Sequence, residues 1–194
     1  MCIRDRSTET DNNISIEVSG SQGSNNNIGT PGNGNIITAS AFGIGLTNGA
    51  SGNSVISNHI GIGADGTTGL NITNTAITLT NNANDNIIGI AGNGNLIGNA
   101  SDGIVIENSS NHAIIRGNLI GFQSDTVSSS NINTNGILVA SMASFNMIGG
   151  CLPGQGNYIG HTIDGISFEG AGADNDTVFG NFIGVDVNLS LIHI

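Results

Sequence analysis

The chain has 194 residues, with three Lys and Arg against fourteen Asp and Glu, a formal net charge of −11, no Trp and one Tyr. So acidic a surface excludes nucleic acid as a partner, because phosphate binding needs clustered Lys and Arg, and it argues against an anionic membrane surface. No apolar run is long enough to span a bilayer.

The two ends stand apart from everything between them. Met1-Cys2-Ile3-Arg4-Asp5-Arg6 can be encoded by DNA that is the reverse complement of DNA encoding Leu189-Ser190-Leu191-Ile192-His193-Ile194. We read residues 1–6 and 189–194 as the translated ends of a sequencing adapter and set them aside from fold reasoning. Residues 7–188 then read as a slice of a longer repeat domain, with any signal segment outside it. That slice keeps thirteen acids against Arg116 alone, and Cys151 as its single thiol, so no disulfide framework is expected.

Ser7 to Gln22 holds one partial unit in which Ile14, Ile16 and Val18 alternate. From Asn26 onward three markers recur. The first is the apolar residue closing an Asn-x-Ile-type group: Ile28, Val55, Ile88, Ile115, Ile148 and Val178. The second closes another: Ile37, Ile60, Ile97, Ile120, Ile159 and Ile183. The third opens an alternating pair: Ile44, Ile77, Ile104, Ile137 and Ile166, with Leu46, Leu79, Ile106, Val139 and Phe168 two residues on. First markers are separated by 27, 33, 27, 33 and 30 residues, so the true period is about sixty and contains two similar halves. Odd units carry their extra residues between the first two markers (Gly32, Gly92 and Gly154 loops), and even units after the second, from Ile60 to Ile77 and from Ile120 to Ile137.

Short β-type segments at fixed offsets, joined by loops that accept insertions, predict a stacked solenoid. Three strands per unit predict an all-β parallel helix of five to six coils, with matched Ile side chains in columns at the ~4.8 Å strand spacing. Ile104 is expected inside, between Ile77 and Ile137, with Val105 facing out. Asn35, Asn58, Asn95, Asn118, Asn157 and Asn181 share one offset and are expected to form a side-chain ladder at a corner. The ends of such a slice would expose unpaired strand edges and favour end-to-end association.

Asn118-Leu119-Ile120-Gly121, following Asp102-Gly103-Ile104-Val105-Ile106, resembles the right-handed parallel β-helix repeats of the pectate-lyase-like superfamily. The Asn- and Gly-rich composition is similar to repeats of large bacterial surface proteins. The resemblance covers about Asn13 to Asn188 and implies a secreted or cell-surface protein. It leaves activity open, because the superfamily includes lyases, hydrolases and adhesins.

Candidate chemistry is sparse. Asp102 and Asp164 precede the third marker in coils three and five, and Glu107 and Glu169 follow it; each pair would lie ~10 Å apart, near the upper spacing of inverting glycosidase carboxylates. Surface acids copied with the repeat explain the same pattern. Asp85, His112 and Arg116 form the other catalytic candidate, with His112 as general base beside the Asp85 carboxylate on the adjacent coil and Arg116 as the cation a lyase would need. His59, His112 and His161 have unmatched offsets and predict no stacked metal set. Asp65 and Asp125 match each other in the long loops and could meet Ca²⁺; no other cofactor is expected.

The residue before each second marker must point outward: Ile36, His59, Leu96, Leu119, Tyr158 and Phe182. They predict an apolar, partly aromatic contact stripe for a polysaccharide or protein surface, its ligand end at Tyr158 and Phe182, unless the loops after Ile28, Ile88 and Ile148 fold over it. The expected role is structural, adhesive or carbohydrate-contacting, without enzymatic activity in this segment. The alternative is part of a polysaccharide lyase or glycoside hydrolase with its catalytic coils elsewhere; the shortage of Lys and Arg weighs against anionic polysaccharide.

Overall fold

The computed structural model describes residues 12–38 and 40–184. Both terminal hexapeptides lie outside the described residues. The rest is a parallel β-solenoid of about six turns built from three six-stranded sheets. The first sheet stacks β1 (Asn12–Ser19), β4 (Ser40–Thr47), β7 (Thr75–Thr80), β10 (Asp102–Ile106), β13 (Asn135–Ala140) and β16 (Asp164–Glu169). The second and third sheets use strands of two or three residues. Sheet two runs β2 (Asn27–Ile28), β5 (Ser54–Val55), β8 (Ile87–Ile88), β11 (Ile114–Ile115), β14 (Met147–Gly149) and β17 (Thr177–Phe179). Sheet three runs β3 (Ile36–Ile37), β6 (His59–Ile60), β9 (Leu96–Ile97), β12 (Leu119–Ile120), β15 (Tyr158–Ile159) and β18 (Phe182–Ile183). One coil takes a strand from sheet two, then three, then one, so β2–β4 is coil one and β14–β16 is coil five.

The markers set the register. Ile44, Ile77, Ile104, Ile137 and Ile166 are successive partners in the first sheet. The columns from Ile28 to Val178 and from Ile37 to Ile183 are likewise in register. These columns are the core, and β-branched side chains suit a site walled by pleated strands on three sides. Each buried Ile contributes roughly 1.5–3 kcal/mol. The glycine opening each Gly-Ile-x-Ile group has a steric cause: a Cβ on Gly43 would stand 2.7 Å from Ile60 Cγ2.

Val105 lies outside the core cluster, as alternation requires, yet it is only 8% exposed. Its column neighbours Thr78 and Leu138 shield it, so the outer face of the long sheet is itself close-packed. At the far end Phe168, Val178 and Ile183 hold core positions but are exposed among the described residues.

The asparagines form two ladders. In the first, Asn35 Nδ2 donates to Asn58 Oδ1 at 2.9 Å, and the step repeats through Asn95, Asn118 and Asn157 to Asn181 at 2.8–3.0 Å. The backbone N–H of each member donates to the same oxygen. The amide's second hydrogen goes to a backbone carbonyl, as from Asn118 to Ile88. A second ladder, not anticipated from the sequence, joins Asn26, Asn53 and Asn86 two residues before the first markers. It breaks at Ala113, resumes where Asn146 accepts from the Ala113 N–H, and ends at Asp176.

Candidate functional site

The outer column of sheet three lies between two families of loops. Loops of the even coils, residues 61–71 and 121–131, project on one side. Each is knotted by one carboxylate. Asp65 Oδ1 accepts the Thr67 and Thr68 N–H groups and its Oδ2 accepts the Thr68 hydroxyl. Asp125 does the same with Val127 and Ser128. The Thr68 hydroxyl, then the loop N–H groups, hold the Asp65 carboxyl well below the usual range, and the Ser128 hydroxyl leads the same effect at Asp125. The two acids suggested for calcium thus organise their own loops, and no metal-holding group of three His, Cys, Asp or Glu occurs among the described residues.

These two loops belong to coils two and four, yet they touch. Ser124 N–H donates to Gly66 O at 2.9 Å, and a Cβ on Gly66 would strike the Ser124 side chain. Gly66 also has φ +71°, which favours glycine on both counts. The contact passes over coil three and covers Leu96, whose Cδ2 lies 3.8 Å from that same Cβ position. Leu96 is therefore only 7% exposed. The stripe, expected to be exposed unless odd-coil loops folded over it, is thus covered at this point by the even-coil loops instead.

Odd-coil loops, residues 29–34, 89–94 and 149–156, line the other side. Those of coils three and five close over the Gly117 corner of coil four, where Gly117 N–H donates to Gln155 O at 3.0 Å. Between the two families lies an open groove of about 550 Å³. Ile36, His59 and Leu96 floor it, and residues 32–35, 92–94 and Ala64 form its walls. His59 Nδ1 donates to Gly63 O at 2.9 Å, so the imidazole pins the loop to the floor.

The six stripe residues are in one register column, but their exposure differs. Ile36 is 51% and Phe182 46% exposed, while His59, Leu119 and Tyr158 are half-buried. Tyr158 and Phe182 stack with centroids 4.4 Å apart and planes 7° from parallel. Their facing surfaces are spent on each other.

The proposed catalytic set separates. Asp85 Oδ1 and His112 Nδ1 are 3.9 Å apart on neighbouring coils, both exposed. They occupy a left-handed corner column of Asn25, Gly52, Asp85, His112, Phe145 and Asn175, with φ between 57° and 66°. Phe145 stacks on His112 at 5.6 Å and 16°, a partner the sequence reading missed. Arg116 turns instead into a pocket with Ile87 and Ile114, away from that pair.

Most of the surface acids are tied up as well. Asp102 Oδ1 accepts from Thr134 Oγ1 and Asn135 Nδ2; Asn135 is the strand-register partner of Asp164 and so stands between the two acids as expected, while Asp164 itself is exposed. Glu107 accepts from Thr80, and Glu169 from Ser167. Cys151 is a free, exposed thiol. No family model, curated protein or solved structure matches the chain.

Proposed function

We propose that this solenoid is a contact-making segment of an extracellular or cell-surface protein, with an adhesive or carbohydrate-contacting role akin to that of pectate-lyase-like β-helix repeats. The groove over Ile36, His59 and Leu96 carries the reading. Its floor joins apolar surface to an imidazole, and its walls offer backbone amides and Asn side chains, which suits an uncharged, hydrogen-bonding polymer. The odd-coil wall repeats the same Gly-Asn-Gly-Asn loop two coils apart, ~10 Å along the axis, so the groove presents a recurring set of donors and acceptors. A contact role fits better than catalysis because Asp65, Asp125, Asp102, Glu107 and Glu169 accept hydrogen bonds from their own loops and strands, and Arg116 lies apart from the Asp85–His112 pair. Net charge −11 favours a neutral glycan over an anionic one.

A panel of neutral and anionic polysaccharides tests this with Ile36→Asp and the double variant Tyr158→Ser/Phe182→Ser. Ile36→Asp should abolish retention of a neutral glycan without moving the thermal melt, because the side chain is exposed. The aromatic double variant should bind nearly as wild type but lose stability, because it unstacks a ring pair worth about 0.5–1.5 kcal/mol. Retention unaffected by Ile36→Asp would remove the groove from consideration.

A further inference from the structure

Arg116 is the single Lys or Arg among the described residues. Its surroundings are unlike those of an ordinary surface arginine. It lines a pocket of about 310 Å³ with Ile87, Gly89, Ile90, Ile114 and Gln155. Its Nε is buried with no hydrogen-bond partner. Its Nη2 contacts Met147 Sδ at 3.5 Å, and a thioether is a weak acceptor. The ion pair found among the described residues is His112–Asp85, so no acid among the described residues pairs with this guanidinium. A buried donor without a partner is costly, and a charged group beside apolar walls in a cavity is a common feature of ligand sites.

We propose that this pocket binds a small organic carboxylate, with the anionic end on the Arg116 guanidinium and a compact apolar body against Ile87, Ile90 and Ile114. A planar guanidinium matches a carboxylate in geometry and charge. The pocket volume sits at the low end of the ~300–1,000 Å³ typical of ligand sites, which fits a molecule of a few carbons rather than a polymer. The strongly negative field of the whole chain selects a monoanion over a polyanion. Gln155 reaches the pocket from the coil-five loop, so two odd-coil loops and the outer face of sheet two shape one site distinct from the groove on sheet three.

Hexanoate, titrated into the full chain and followed by methyl NMR, is the test. Saturable, one-site shifts are expected at Ile87, Ile90 and Ile114. Arg116→Gln should weaken binding about tenfold or more, the loss expected for a charged hydrogen bond, and leave the melt unchanged or raised. Ile90→Phe keeps the charge but fills the cavity, and should abolish binding; it decides the matter if Arg116→Gln fails to fold. No saturation in the wild type, equal binding by Arg116→Gln, or 1-hexanol binding as tightly as hexanoate would each overturn the proposal.

Discussion

The two asparagine ladders have the same chemistry and the same spacing but different completeness. The ladder from Asn35 to Asn181 places an amide in every coil, and none of its atoms is left buried without a partner. The ladder from Asn26 to Asp176 lacks an amide at Ala113. It holds two of the four buried polar side-chain atoms that lack a partner among the described residues, Asn146 Nδ2 and Asp176 Oδ2. An amide ladder is self-consistent only if each rung both gives and receives, so one missing or altered rung leaves its neighbours with unused groups. The complete ladder should be a cooperative support of its corner, and the broken one a local and weaker device.

Four substitutions probe that difference. The largest effect is expected from Asn118→Ala. It removes the acceptor of both Asn95 donors and the donor to Ile88 O, a loss of about 3 kcal/mol or more in a denaturant titration. Asn146→Ala removes only the acceptor of the Ala113 N–H and should cost about 1 kcal/mol. Equal losses would end the distinction between the ladders.

Next is Asp176→Asn. In this column an Asn amide donates to a backbone carbonyl, as Asn53 does to Gly23 and Asn86 to Ala50, but Asp176 offers an oxygen there and finds no donor. Burial, reinforced by Asp174, pushes the Asp176 carboxyl above its usual value, against the hydrogen bond donated by the Asn146 backbone N–H. A raised carboxyl pKa means the folded state holds the proton more tightly than the unfolded chain. Its contribution is therefore present below the unfolded value near 3.9 and is lost as pH rises through the folded value. Asp176→Asn should gain about 1 kcal/mol at pH 7 and little near pH 3, as measured by melts across that range. A pH-independent difference would exclude the carboxyl as its cause.

The smallest effect is expected from Ala113→Asn. The new amide would offer Asn86 the missing acceptor, but it adds volume at a fully buried position, so stability should stay within about 1 kcal/mol of wild type. A loss as large as that of Asn118→Ala would show that the break is imposed by space.

Much of this architecture is legible in the chain itself. The Ile columns, the first ladder, the β1 partial coil and the neighbourhood of Asp85 and His112 follow from constant offsets, because stacking turns equal offset into contact. The second ladder hides behind Ala113 and Asp176, which interrupt its pattern at two of six coils. Leu96 was misjudged for another reason. Its cover comes from loops in coils two and four meeting across coil three, and such a contact has no signature in any single period. The shielding of Val105 likewise depends on the sizes of its neighbours in adjacent coils, not on its own alternation.

The loop contacts also fix the smallest length by which this solenoid can be lengthened or shortened. Even-coil loops meet through Gly66 and Ser124, and odd-coil loops meet over Gly117, each pair reaching across one coil that carries no such loop on that side. Deleting a single coil of about thirty residues would set two like loops on neighbouring turns, with ~4.8 Å of axis where they now have twice that. Deleting sixty residues would restore every contact. The heritable module is therefore a pair of coils, and in-frame duplications within this gene should be tolerated in multiples of two turns.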